Sequence, residues 1–197
     1  MKKINVFSGS ALPLERSDVD TDQIIPSDWL KRVERTGFGA GLFGEWREDP
    51  TFILNDPRYA NATILVAGPN FGTGSSREHA VWALTDYGFS AVISARFGDI
   101  FFNNSTKAGL VPVVLDAKTV ATIQSAAVAN PNLIIEVNIE SREVSVDELG
   151  IKESFPLNDF TRYRFLEGLD DIGITLENEG RITTYENSRA AWLPRLV

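Results

Sequence analysis

Apolar residues come in short bursts through the middle of the chain, and the segments between bursts follow a different period. "ATILVA" (62–67), "SAVISA" (90–95) and "LVPVVL" (110–115) are brief, uncharged, β-branched runs, the pattern of buried strands. Between the first two, Ala80, Ala83, Leu84 and Tyr87 recur at i, i+3, i+4 and i+7. Residues 76–87 therefore predict an amphipathic helix, with Gly88 where a C-cap belongs. "FGDIFFNNSTKAG" predicts a second short helix, and "KTVATIQSAAVAN" a third that stops at Asn130-Pro131. Strand, helix, strand, helix, strand at this spacing implies right-handed crossovers and a parallel sheet.

Past residue 132 the texture changes. "LIIEVNIE" (133–140), "REVSVD" (142–147) and "ESFPL" (153–157) predict consecutive antiparallel strands with short turns. A helix is expected from about Asn158 to Leu169, with Phe160, Tyr163, Leu166 and Leu169 on one face. At the front, "DVDTDQIIP" runs acidic, then apolar, then breaks at proline. "RTGFGAGLFGEW" sets four glycines among aromatics, the composition of a mobile or binding loop. The reading is one α/β domain over residues 1–197 with a largely parallel sheet and a β-rich flank. It carries a flexible glycine-rich loop at about 30–45 and a C-terminal helix and tail from about 158.

Composition narrows the function classes. With 43% hydrophobic and 23% charged residues, the 197-residue chain has ordinary globular proportions. No apolar stretch approaches the roughly 20 residues of a membrane span. "MKKINVFSGS" lacks the apolar run of a secretory signal, so a cytoplasmic location is expected. The net charge of −8 argues against nucleic acid and anionic membranes as partners. An anionic ligand then needs local cations. These are Arg77 and the trio Lys31, Arg32 and Arg35 of "LKRVER", which by sequence alone reads first as a solvated charged face. The chain has no cysteine and one histidine, His79, so no metal site of its own is expected.

The candidate chemistry sits in "NFGTGSSREHA" (70–80), between a strand and a helix, where open α/β sheets bind ligands. Two readings stand side by side. Ser75 and Glu78 fit an S-x-x-E capping box. Alternatively, Gly72, Thr73 and Gly74 form an anion cradle of backbone N–H groups at a positive helix end. Arg77 would there clamp a carboxylate through two parallel hydrogen bonds, and a serine hydroxyl would have its deprotonated form favoured. That environment suits a general base working without histidine. A P-loop is excluded because no lysine occurs between 60 and 100. A dinucleotide fingerprint is excluded because Arg77 stands where its third glycine belongs.

"NFGTGSSREHAVWALTDYGF", "ARFGDIFFNNSTKAGLVPV" and "DVDTDQIIP" closely resemble the swivel domain of the aconitase superfamily. With "WLKRVERTGFGAGLF" and the overall length, the chain resembles the small-subunit family of the 3-isopropylmalate dehydratases, most strongly over 12–46 and 62–115. The resemblance implies a swivelling β/β/α three-layer domain. It implies interconversion of 2- and 3-isopropylmalate by dehydration and rehydration through 2-isopropylmaleate, in leucine biosynthesis. The four-iron–four-sulfur cluster is then held by cysteines of a separate large subunit and not by this chain, which alone is inactive and works in a heterodimer on a small dicarboxylate.

Position by position, the resemblance makes Ser75 the base that takes a proton from carbon, with Ser76 and Arg77 holding the base and binding a substrate carboxylate. Thr21 and Asp22 match the pair that lines the site. Arg32 is the nearest candidate for a further arginine, with Lys31 and Arg35 as substitutes. Thr73 stands where several bacterial members carry cysteine. Leu30, Val33, Phe38 and Leu42, in the same loop as Lys31 and Arg35, are candidates to wrap an isopropyl group, or else pack as ordinary core. His79 beside the loop is read as satisfying local hydrogen bonds. Alternatives are the small subunit of a related hydro-lyase acting on citramalate, citraconate or homoaconitate, and a non-catalytic anion- or nucleotide-binding module.

Overall fold

The computed structural model describes residues 1–32, 35–75, 77–190 and 192–193. Its strands are β1 (Val6–Leu14), β2 (Ile64–Ala67), β3 (Ala91–Ser94), β4 (Val111–Val114), β5 (Ile134–Asn138), β6 (Glu143–Val146) and β7 (Ile151–Ser154). They lie in the order β4-β3-β2-β1-β5-β6-β7. β1 changes partner midway: Val6–Ser10 pair antiparallel with β5, and Ala11–Leu14 pair parallel with β2. β2, β3 and β4 continue in parallel, whereas β5, β6 and β7 continue antiparallel. The β-rich flank is thus the second half of the same sheet.

Side-chain alternation explains the two halves. In β2, Ile64 and Val66 point to one core, while Leu65 and Ala67 point to the other; no face is wet. In β5, Ile135 and Val137 are buried, but Ile134 and Glu136 face solvent. One core is lined by both halves of the sheet, through Ile64, Ile93 and Val113 on one side and Ile135, Val137 and Val144 on the other. Val120, Ile123 and Ala127 of α4 (Ala117–Ala129) join it. The second core lies between the parallel half and two helices, α2 (Glu78–Tyr87) and α3 (Asp99–Ala108). Antiparallel half, parallel half and helices make the three layers that the resemblance implied. Pro112 sits in β4, the outermost strand of the parallel half, where a missing N–H disturbs least.

Several expectations shift. The helix predicted from 76 begins at Glu78. The third antiparallel strand is Ile151–Ser154 and ends ahead of Pro156, which cannot donate to a ladder. α5 runs Asp159–Glu167, opened by Asn158 accepting from the Thr161 N–H (2.8 Å) and closed by Gly168 at φ +69°. Its inward residues are Thr161, Arg164 and Phe165, not the expected face; Phe160 and Tyr163 are exposed. Where a tail was expected, two short helices follow, α6 (Asp171–Leu176) and α7 (Glu179–Ser188), and neither has a buried residue.

The largest correction concerns the glycine-rich loop. Phe38–Gly41 forms a tight 3₁₀ turn laid against α2, with Phe38, Leu42 and Phe43 fully buried. The Phe38 N–H donates to Asp86 Oδ2 (3.0 Å), and a Cβ on Gly39 would sit 2.7 Å from the Tyr87 backbone nitrogen. Here glycine permits close packing of loop on helix, which composition alone reads as looseness.

Gly39→Ala is therefore expected to destabilise the fold by about 1–3 kcal/mol, read as a lower urea midpoint. Gly180→Ala, in α7 with open space around it, should leave the stability unchanged or raise it by about 0.5–1 kcal/mol, read as an equal or higher urea midpoint.

Candidate active site

Beyond the carboxyl ends of β1, β2 and β3, three segments run side by side. Residues 18–22, 70–75 and 96–98 are joined by parallel bridges Asp20↔Thr73 and Phe71↔Phe97. The Val19 carbonyl accepts from the N–H groups of Gly72 (2.7 Å) and Thr73 (3.1 Å). On the other flank, the Gly98 N–H donates to the Phe71 carbonyl (2.9 Å) and the Phe71 N–H to the Arg96 carbonyl (3.0 Å). The loop turns sharply over a buried aromatic floor. Gly72 has φ +71°, and a Cβ there would meet the Phe101 ring at 2.2 Å. Asn70, also left-handed at φ +61°, donates from Nδ2 to Asp18 Oδ1 (2.6 Å).

The two sequence motifs thus meet. Thr21 is buried; its N–H donates to the Thr73 carbonyl (3.0 Å) and its hydroxyl to the Ser75 carbonyl (3.0 Å). It opens a single helical turn, α1 (Thr21–Ile24), capped by Asp20 accepting from the Gln23 N–H (2.8 Å), while Gln23 Oε1 accepts from the Asp20 N–H (2.9 Å). A capping box exists, but as D-x-x-Q on α1. The expected S-x-x-E box on α2 does not form: Arg77 is the N-cap residue and contributes no side-chain cap bond. Ser75 is exposed, and its hydroxyl has no partner among the described residues. The Arg77 guanidinium pairs with the Asp22 carboxylate.

Ser75, Arg77, Thr21, Asp22, Gly72, Thr73 and Gly74 are therefore one constellation. Ser76 and Val33 lie outside the described residues. Phe38 and Leu42 are fully buried and pack in the core. His79 packs edge-on against Phe38 (5.3 Å) and close to Trp82 (4.7 Å), as an aromatic filler between loop and helix. Leu30 is half-buried. Lys31 pairs with Asp28 (2.9 Å) in the exposed turn Ser27–Lys31, and Arg32 stacks its guanidinium on Trp29 (3.7 Å). Among the described contacts nothing ties Lys31, Arg32 or Arg35 to Ser75.

Sequence reasoning missed the Asp20 cap, although its D-x-x-Q spacing is a legible start signal. It also missed the Asp18–Asn70 bond and Arg96, which carry no local pattern. Asp18, Asn70, Thr73, Gly74, Arg96 and Asp99 line a cleft of about 430 Å³ beside the serine loop.

Comparison with known proteins fits this arrangement. Residues 1–118 match the family described as aconitase C-terminal domain, and residues 171–197 match the C-terminal domain of the 3-isopropylmalate dehydratase small subunit. The 3-isopropylmalate dehydratase small subunits of Frankia alni and Rubrobacter xylanophilus are 60% and 53% identical over 197 residues, covering all of both chains. The crystal structure of a 3-isopropylmalate dehydratase from Methanocaldococcus jannaschii shares the fold at TM-score 0.67 and 23% identity, over 91% of this chain and 99% of that one.

If Asp20 is what holds α1 under the serine loop, Asp20→Ala should cost about 1 kcal/mol. Hydrogen exchange should then speed roughly fivefold at the Gln23 and Thr73 amides, with protection across β2 and β3 unchanged.

Proposed function

Because the chain belongs to the 3-isopropylmalate dehydratase small-subunit family, we propose that Ser75 is its general base and Arg77 its carboxylate clamp. The family's reaction is that of a hydro-lyase in leucine biosynthesis, and it is carried out in complex with a large subunit. Dehydration of 2-isopropylmalate to 2-isopropylmaleate and rehydration at the neighbouring carbon needs a group that takes a proton from carbon and returns one. The observation that supports Ser75 is the fastening of its carbonyl by Thr21, which leaves the hydroxyl exposed and uncommitted. Arg77 beside it supplies a fixed positive charge that favours the deprotonated hydroxyl.

Arg77 is not idle without substrate: Asp22 occupies it. A substrate carboxylate takes the place of the Asp22 carboxylate, so the guanidinium is never left unpaired. Lysine would not reproduce the two-pronged contact. Ser76, Gly72, Thr73 and Gly74 complete the cradle. Arg32, with Lys31 and Arg35 as substitutes, supplies the further cation once the assembly closes. The isopropyl group rests on Leu30 and Val33, since Phe38 and Leu42 are already buried in the core.

The chain has no cysteine, and among the described residues no cluster of His, Cys, Asp or Glu suits a metal. Its residues do not fit an iron–sulfur cluster. In this reading the four-iron–four-sulfur cluster, a Lewis acid toward the departing hydroxide, belongs to the large subunit. Among the described residues no helix is long and apolar enough to cross a membrane. In this reading the site of action, as for the family's biosynthetic reaction, is the cytoplasm.

In the pair reconstituted with the large subunit of a close relative, Ser75→Ala should lower kcat for 3-isopropylmalate by about 100-fold or more with little change in KM. Near-normal turnover removes Ser75 as base. Arg77→Ala should lower kcat/KM by about 10- to 100-fold, chiefly through KM. Citramalate should be the poorer substrate by about 10-fold or more, since its methyl lacks the two branch carbons of the isopropyl group that Leu30 and Val33 would contact.

A further inference from the structure

Two non-glycine residues with left-handed backbones face each other where the serine loop leaves β2. They are Asp18 at φ +55° and Asn70 at φ +61°. Glycine would be the easier residue for the backbone at either place. What glycine could not supply is the bond between the two side chains, from Asn70 Nδ2 to Asp18 Oδ1 at 2.6 Å. Neither side chain has another hydrogen-bond partner among the described residues, and neither residue is buried, so the pair adds nothing to either core. Paired residues in a sparsely populated conformation, at the rim of a candidate site, ask for a local purpose.

That purpose is legible in what surrounds them. Asp18 also donates its N–H to the Pro69 carbonyl (2.9 Å). It thus holds the entrance of the loop as Thr21 holds its exit, once through the backbone and once through the side chain. Between the two, the Val19 carbonyl accepts from Gly72 and Thr73. Residues 18–21 therefore act as a template for the whole loop, and the contacts at its Ser75 end depend on the direction in which Asn70 sends the chain.

We propose that Asp18 and Asn70 are positioning residues of the reaction. Their clasp fixes the angle at which the loop leaves β2, and through it the place where the Ser75 hydroxyl stands. The proposal rests on the reading of Ser75 as base. A reacting group misplaced by an ångström can lose about 100-fold in rate, so a partial loosening at the loop entrance is felt in kcat.

The test exchanges donor and acceptor. Asn70→Asp sets two carboxylates against each other; adding Asp18→Asn restores the bond with the amide on the opposite side. In the pair reconstituted with the large subunit of a close relative, Asn70→Asp should lower kcat about tenfold with KM within about twofold, and the double variant should return kcat to within about threefold of the parent. Asn70→Gly, which keeps the left-handed backbone accessible but has no amide, should slow turnover about as much as Asn70→Asp. Unchanged kcat in Asn70→Asp or in Asn70→Gly overturns the proposal, as does a double variant no faster than Asn70→Asp. A raised KM at constant kcat makes the pair a substrate contact and overturns the positioning role.

Hydrogen exchange of the full chain supplies a readout free of turnover. The Gly72 and Thr73 amides should exchange about fivefold faster in Asn70→Asp and at the parent rate in the double variant, with β3 and β4 unchanged. Exchange that does not respond overturns the clasp, whatever Ser75→Ala does. Near-normal turnover of Ser75→Ala, with exchange responding as expected, instead removes the base and leaves the clasp as a holder of the loop.

Discussion

Thr21 is bonded to the serine loop twice, once through its backbone and once through its hydroxyl, and the position of everything in the candidate site follows from that. The loop needs such an anchor. It carries left-handed residues at Asn70, Gly72 and Gly74, and it leaves β2 without continuing into a helix until Glu78. A segment of that kind holds one shape only where its surroundings over-determine it. Val19 and Thr21 pin one edge, Arg96 and Gly98 the other, and Phe101 blocks the floor. Three strand ends supply these contacts, so the parallel half of the sheet is the scaffold of the site as well as half of the core.

The same arrangement reconciles a chain of net charge −8 with the anionic ligand proposed for it. At a Debye length of about 8 Å in physiological salt, distant carboxylates matter little, and the local partners of a guanidinium decide. Asp22 is such a partner for Arg77. Replacing one carboxylate by another on the same guanidinium exchanges like for like, so binding is weakened by competition yet avoids desolvating a bare cation. Without ligand, the Asp22 pair keeps Arg77 oriented.

Much of this was legible in the sequence, and the boundary of legibility has physical causes. The three apolar bursts read as strands because a strand buried on both faces admits few polar residues, here only Ser94 with its hydroxyl donating to the Gly68 carbonyl, and β2, β3 and β4 occupy those runs. The helix after Gly74 read correctly in kind but two residues early, since S-x-x-E is only a local preference. Tertiary bonds from Thr21 took the Ser75 region out of the helix start. α5 was placed well at its ends, where Asn158 and Gly168 are local signals. Its inward face was misread because which stripe turns inward depends on what lies opposite, here Phe165 against the core shared by the two halves of the sheet. The meeting of residues 18–22 with 70–75 has no periodic signature at all; the resemblance named both motifs, and only the fold joins them.

Glycine marks the other limit. Residues 36–44 and the serine loop are both glycine-rich, and composition treats them alike. In the serine loop, Gly72 and Gly74 serve backbone angles that side chains rarely adopt. In the front loop, Gly39 and Gly41 serve proximity, since added Cβ atoms would strike the α2 backbone and the Trp29 ring. The first use shapes the turn that leaves Ser75 exposed, and the second closes a surface, by burying Phe38 and Leu42. Leu30, on the Ser27–Lys31 turn, lies outside that packed turn and stays half-buried, because a 3₁₀ turn with no buried residue has nothing to press its side chains against.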